Sequence, residues 1–193
     1  MFVKPLLGLA FLYISSCTSL LYYPSKLVFD NPKRHKLDVE NHVIVTKDQL
    51  RLHAWLLSSS TAKIKKGLIL QFHGNAENLS THYLSLAWLA HLGYDVLIFD
   101  YRGYGLSEGT PSIRGLYLDS QAVYKYALQL RTEKKYSQFI IVAQSLGGSV
   151  ALRTLSENTI TNSQVNLVIF DSTFRSNSEV SATILRKSWP TFL

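Results

Sequence analysis

The residues with the most evident chemical potential form one short run, Ala143-Gln144-Ser145-Leu146-Gly147-Gly148. It follows an apolar β-branched stretch at residues 139–143 and opens a helical stretch at residues 146–156. A serine placed between a buried strand and a helix sits on a very sharp turn, where side chains two positions before and two positions after it would collide. Ala143 and Gly147 supply the small residues that this geometry needs. The turn exposes the Ser145 hydroxyl and aims a helix N-terminus at charge developing on a substrate oxygen. That arrangement suits nucleophilic attack by Ser145 on an acyl carbon, with the amide of Leu146 as one oxyanion donor. A serine does this well only beside a general base.

Two further loops belong with the first. His73-Gly74-Asn75-Ala76-Glu77-Asn78 follows the apolar run at residues 67–72, where a second oxyanion N–H is recruited in such an architecture. The backbone amide of Asn75 is the natural donor. His73 is a candidate base by residue type, but shaping its loop is its expected role. Asp100-Tyr101-Arg102-Gly103-Tyr104-Gly105-Leu106-Ser107-Glu108-Gly109 carries glycines that permit tight turns, and reads as a pocket wall with Asp100 and Arg102 structural. Its glycine spacing matches no nucleotide fingerprint, and no Gly-Lys-Ser/Thr follows.

These loops need elements to hold them. Residues 42–46 and 52–57 read as an antiparallel hairpin. Residues 67–72, 94–99, 139–143 and 165–170 are continuous apolar runs of the kind found in strands covered on both faces. Between them lie helical stretches at residues 79–92, stopped by Gly93, and at 112–131 and 146–156. In the middle one, Ile113, Leu116, Tyr117, Val123, Tyr124, Ala127 and Leu128 fall mostly at the spacing of one helix face. Pro111 stands just before it, where a missing N–H costs little. The alternation predicts an α/β fold, a mostly parallel sheet with helices on both faces, whose ligands bind beyond the carboxyl ends of the strands. All three loops fall there.

In this order the three loops resemble the α/β-hydrolase superfamily, in particular its lipase-like branch, which includes serine-aminopeptidase-type, monoacylglycerol-lipase-type and protein-depalmitoylating members. The resemblance covers roughly residues 23–193. It implies hydrolysis of an ester, thioester or amide through an acyl-enzyme on Ser145, on a small-molecule or acylated substrate, with no metal and no organic cofactor. It gives His73, Gly74, Gly103, Gly105 and Gly147 motif and structural roles. It also implies a triad in the order Ser, acid, His, yet the six histidines (His35, His42, His53, His73, His82 and His91) all precede Ser145. Asp171, after the run at 165–170, is expected to be a wall residue and is the one candidate acid. The family's lid and last strands would follow Phe192-Leu193, so the expectation is a hydrolase domain with its last strands missing and negligible turnover. The alternative is a membrane-tethered, non-catalytic binding protein with a hydrolase-like pocket.

Charge and the N-terminus bear on partners. The balance is 20 Lys+Arg against 13 Asp+Glu, or +7. The cations are scattered, with small clusters only at Lys33-Arg34-His35-Lys36, Lys63-Lys65-Lys66 and Lys134-Lys135, and no aromatic residues interleave with them as a nucleic-acid platform requires. No nucleic-acid partner is expected. Residues 1–22 have the layout of a leader: Lys4 near the start, an apolar stretch at residues 6–14, then Ser15, Ser16 and Cys17. An apolar run of roughly ten residues makes about 15 Å of helix, short of the roughly 20 residues that span a bilayer. Ile14-Ser15-Ser16-Cys17 resembles the bacterial lipoprotein signal, which implies lipid attachment at Cys17 and an exported, membrane-associated protein. Leu20-Leu21-Tyr22-Tyr23 could extend the apolar stretch, which keeps an uncleaved anchor open. Cys17 is the only cysteine, so no disulfide forms within the chain.

Overall fold

A computed structural model describes residues 21–62, 64–158 and 162–173. Cys17 and the rest of the leader before residue 21 lie outside the described residues. Six strands form one sheet: β1 (Asp38–Val45), β2 (Arg51–Ser58), β3 (Gly67–Phe72), β4 (Tyr94–Phe99), β5 (Gln138–Gln144) and β6 (Leu167–Asp171), in the order β1-β2-β4-β3-β5-β6. β1 pairs antiparallel with β2, and β2 with β4; the remaining pairs are parallel. The hairpin closes where Thr46 N–H donates to Leu50 O at 2.9 Å, with Gln49 at φ 66°.

The helices are α1 (Leu79–His82), α2 (Ala87–His91), α3 (Ile113–Glu133) and α4 (Leu146–Glu157). β3 shows why they cover both faces. All six of its residues are buried. Successive side chains point to opposite sides of a sheet. Leu68, Leu70 and Phe72 join a core with Leu97, Phe99 and Ile141, covered by Leu116 and Val123 of α3 and Val150 of α4. Ile69 points the other way, to Trp55, Leu57, Val96 and Ile98, covered by Leu79, Ala87 and Ala90 of α1 and α2.

Two expectations are corrected. The single helix at residues 79–92 is broken by a 3-10 turn, Tyr83–Ser85. In a continuous helix the His82 carbonyl would accept from Leu86 N–H. It accepts instead from Gln71 Nε2 and Ser85 Oγ, each at 2.9 Å, while Leu86 N–H donates to Tyr83 O at 3.1 Å. The last strand begins at Leu167 rather than Val165, because Asn166 turns side-on to β5: Phe139 N–H donates to Asn166 Oδ1 and Asn166 N–H to Phe139 O, both at 2.8 Å. β6 is the outer strand among the described residues, and Leu167, Ile169 and Phe170 are 50%, 44% and 41% exposed, although their composition is that of a strand covered on both faces.

Candidate active site

Ser145 stands between the end of β5 and the first turn of α4, at φ 52° and ψ −115°. A non-glycine residue in that region stores on the order of 1–3 kcal/mol and persists only where its surroundings over-determine it. The surroundings do so here through backbone. Ser145 N–H donates to Asp171 O at 2.9 Å, tying the turn to the end of β6, and Gly148 N–H returns to Ser145 O at 3.0 Å. Gly147 lies so close to β3 that a Cβ would overlap the Phe72 carbonyl and stand 2.7 Å from His73 O. Leu146 is the first residue of α4, so its amide has no partner within the helix and faces the space beside Ser145 with the positive end of the helix dipole.

The loop after β3 stands over this turn. A Cβ on Gly74 would lie 3.7 Å from Ser145 Cβ, 3.6 Å from Gln144 Oε1 and 3.5 Å from His82 Cε1. Asn75 is held by its side chain: Oδ1 accepts from Tyr104 OH at 2.7 Å, Ala76 N–H at 3.0 Å and Tyr23 N–H at 3.1 Å, and Nδ2 donates to Leu21 O at 2.7 Å. Ala76 and Glu77 are both left-handed, at φ 78° and 54°, which turns the chain back into α1. Asn78 caps that helix through Ser80 N–H and donates to Ser25 O and Leu27 O. Residues 21–29 are thereby laced across the loop.

His73 is fully buried. One ring nitrogen, Nδ1, bonds to Gly74 O at 2.8 Å; the other, Nε2, is 3.7 Å from Asp100 Oδ1 and has no hydrogen bond. Its ring lies 4.6 Å from Tyr101 and stacks on His82 at 5.0 Å. Burial, with the His82 charge second, pushes its pKa down to about 3, against the pull of the Gly74 carbonyl. The imidazole is therefore neutral at ordinary pH. His82 Nε2 is engaged by Ala76 O at 3.1 Å. Among the described residues, no histidine hydrogen-bonds the Ser145 hydroxyl. Asp171 ends β6 beside the turn: Gln144 Nε2 donates to one carboxylate oxygen at 3.2 Å and Ser172 Oγ to the other at 2.9 Å. Its backbone carbonyl accepts from Ser145 N–H, and the residue remains exposed.

The glycine-rich loop lies behind the first two. Gly105, at φ 45°, comes so near Asp100 that a Cβ would overlap its carboxylate. Gly103, at φ 82°, packs against Pro111. Asp100 accepts Leu79 N–H at 2.7 Å, and burial raises its pKa, with His53 and the Leu79 amide opposing. Arg102 makes two bonds to Asp48, at 2.9 and 3.1 Å, and reaches Asp119 through Nε at 2.9 Å and Nη2 at 2.7 Å. Burial works against the Arg102 charge, but the two carboxylates hold its pKa above the ordinary value. Asp48 is pushed down to about 2, by Arg102 first and Thr46 second. The ion-pair roles of Asp48 and Asp119 and the capping role of Asn78 were not anticipated from the sequence. A signal for Asp119 exists: it falls between Leu116 and Val123 on the apolar face of α3, where a charge requires a partner.

Ser145, Leu146, Gly74, Asn75, Gly147 and Asp171 thus meet at the carboxyl ends of β3, β5 and β6, with His73 beneath and Gly103 and Gly105 one loop away. The same arrangement of strands and helices occurs in the Pyrococcus furiosus esterase Pf2001, with a TM-score of 0.68 at 24% identity over 87% of this chain and 62% of that one. In sequence, the chain is 32% identical over 165 residues to YfhR of Escherichia coli, covering 84% of this chain and 56% of the relative. It is 31% identical over 187 residues to bem46 of Schizosaccharomyces pombe, covering 93% and 60%. The chain therefore spans between half and two thirds of the length of these relatives. The profile of the serine aminopeptidase, S33, family matches residues 63–192, which takes in all three loops. The chain belongs to that family of α/β-hydrolases.

Proposed function

We propose that this is a serine hydrolase site acting on esters, thioesters or amides, with Ser145 as nucleophile and the amides of Leu146 and Asn75 as oxyanion donors. The observation that carries the reading is the strained Ser145 backbone, φ 52° and ψ −115°, held between β5 and α4 directly under Gly74. In the proposed step Ser145 Oγ bonds to the acyl carbon and gives its proton to a base. The carbonyl oxygen takes the negative charge toward the two amides, and the leaving group departs with a proton to give the acyl-enzyme. His73 is not that base, because both its burial and its bond to Gly74 point it away from the role. In the family's order the acid and the base follow the serine. Asp171 acts as a wall of the site, and lipid attachment at Cys17 holds the protein at an exported membrane face.

One observation favours a second reading, a tethered binding protein without turnover: among the described residues the Ser145 hydroxyl has no histidine partner. Hydrolysis of a short-chain chromogenic ester, measured beside Ser145→Ala with and without added imidazole, separates the two. We expect little turnover by the chain alone and a rise with imidazole that Ser145→Ala does not show, since a small soluble base can take the proton. Equal rates for chain and variant at every imidazole concentration would favour the binding protein.

A further inference from the structure

The segment that crosses the oxyanion loop has its own chemistry. Tyr22 is buried in the core at 5% exposure and pins the segment. Leu21 O and Tyr23 N–H are held by Asn75, Ser25 N–H donates to Glu77 O, Gly105 N–H donates to Ser25 O, and Lys26 Nζ reaches Ser107 O at 2.8 Å. Fastened in this way, the segment turns its apolar side chains outward. Tyr23, Leu27, Val28 and Phe29 are 60%, 67%, 67% and 44% exposed, and Leu106 of the adjoining glycine loop is 66% exposed. Val28 and Leu106 line one shallow pocket with Lys26. Three consecutive exposed apolar residues on a segment held by this many hydrogen bonds, with Val28 beside exposed Leu106, are the kind of apolar surface that marks an interaction site.

We propose that this rim is a bilayer-docking face, and that the mouth of the Ser145 site opens onto a membrane surface with anionic headgroups. Two observations commit the patch to lipid. The twenty residues that precede Leu21 in sequence carry the apolar stretch at residues 6–14, and Leu21 itself is held by Asn75, one residue from the Gly74 that backs Ser145. Cations also cluster beside the rim: Lys26, then Lys33 and Arg34 in the 3-10 turn Pro32–His35 and Lys36 just after it, are all exposed. Within residues 21–36 the one acid, Asp30, is already engaged by His35, Arg34 and Tyr83, while Glu77 and Glu108 are exposed on the adjoining loops. Apolar side chains entering the acyl boundary with lysines and arginines at headgroup level are how a protein lies on an anionic interface. The proposal rests on the hydrolase reading only for what the mouth admits.

The test uses the full chain with vesicles of phosphatidylcholine and a minor fraction of phosphatidylglycerol, prepared with and without bromine on the acyl chains. Tryptophan emission is compared for Val28→Trp and Leu106→Trp on the rim and for Ile64→Trp, an exposed position away from it. Side chains buried some 5–10 Å into the interface should lose about half of the added emission to brominated chains, and Ile64→Trp should lose little. Circular dichroism of each variant checks folding, and two rim positions guard against one misfolding. Equal quenching at rim and control would overturn the proposal. So would absence of rim quenching, including the case where the rim emission responds to protein concentration instead, which would assign the patch to a second copy of the chain. Quenching does not require Ser145 to react, so failure of the hydrolase chemistry and failure of docking give different results.

Discussion

The glycine-rich loop and the Ser145 turn lie at the same end of the sheet but are held in opposite ways. Arg102 is clamped between Asp48 and Asp119 by side-chain bonds of 2.7 to 3.1 Å, and Asp100 fills the space that Gly105 leaves. The Ser145 turn has no such buried charged network among the described residues; the side-chain bonds beside it, Gln144 and Ser172 to Asp171, are exposed. It is fixed by backbone bonds from Ser145 N–H to Asp171 O and from Gly148 N–H to Ser145 O, and by the absence of side chains at Gly147 and Gly148, next to Phe72 and Thr173. The charged network spends buried polarity on stability. The turn stores conformational strain at one partly buried serine. Substitutions in the first region should therefore act on folding, and substitutions in the second on reactivity.

The largest effect expected is Arg102→Met. It leaves Asp119 buried with no counter-charge, and breaking a buried pair from one side costs about 3–5 kcal/mol. Urea unfolding should show this loss with Ser145 reactivity intact in whatever fraction remains folded. If Arg102→Met cost less than about 1 kcal/mol, the clamp would be no more than a surface pair. Gly147→Val comes next. Its side chain would drive into the Phe72 and His73 carbonyls, so a destabilisation of about 1–3 kcal/mol should accompany a distorted turn. Ser145→Gly should act with the opposite sign. Glycine tolerates φ 52°, so thermal unfolding should show a gain of about 1 kcal/mol while every Ser145-dependent reaction is lost. A loss of stability there would mean that the backbone is not strained.

A further expected effect is one of pH. His73 has a folded pKa of about 3 against 6.5 for the free side chain, so the folded state binds fewer protons than the unfolded one between those values. Its contribution to stability is complete above pH 6.5 and is lost as the pH falls from there toward 3. Asp100 works in the other sense: burial raises its pKa, so the folded state binds more protons above 3.8 and part of the slope is cancelled. His73→Gln removes the first contribution alone. Relative to the parent, it should gain up to roughly 1.4 kcal/mol per pH unit on acidification below pH 6.5. Parallel curves for parent and variant between pH 7 and pH 5 would place the charge elsewhere.

What the sequence disclosed follows from which forces are local. The apolar runs at 67–72 and 94–99 coincide with β3 and β4, because burial on both faces writes itself into consecutive residues. The strand, serine and glycine order at 139–148 disclosed the turn, since no other local structure needs small residues on both sides of one serine. The break in residues 79–92 was not legible. It depends on Gln71, eleven residues before the carbonyl it takes, and no helix periodicity records that. The lacing of residues 21–29 to Asn75 and Asn78 was hidden for the same reason, with partners 51 to 54 residues apart. The exposure of β6 runs against its composition, because Val168 and Ile169 look the same whether or not a neighbour covers them.

The central claim, that Ser145 is a nucleophile exposed by a strained turn, is tested most directly by covalent capture. The full chain is incubated with a fluorophosphonate probe, and the modified peptide is mapped by mass spectrometry, with Ser145→Ala and Gly147→Val alongside. The account predicts one adduct, on Ser145, formed faster with added imidazole, absent from Ser145→Ala and strongly slowed in Gly147→Val. An adduct on another serine, or one that forms on Ser145 as readily after urea unfolding as in the folded chain, would contradict it.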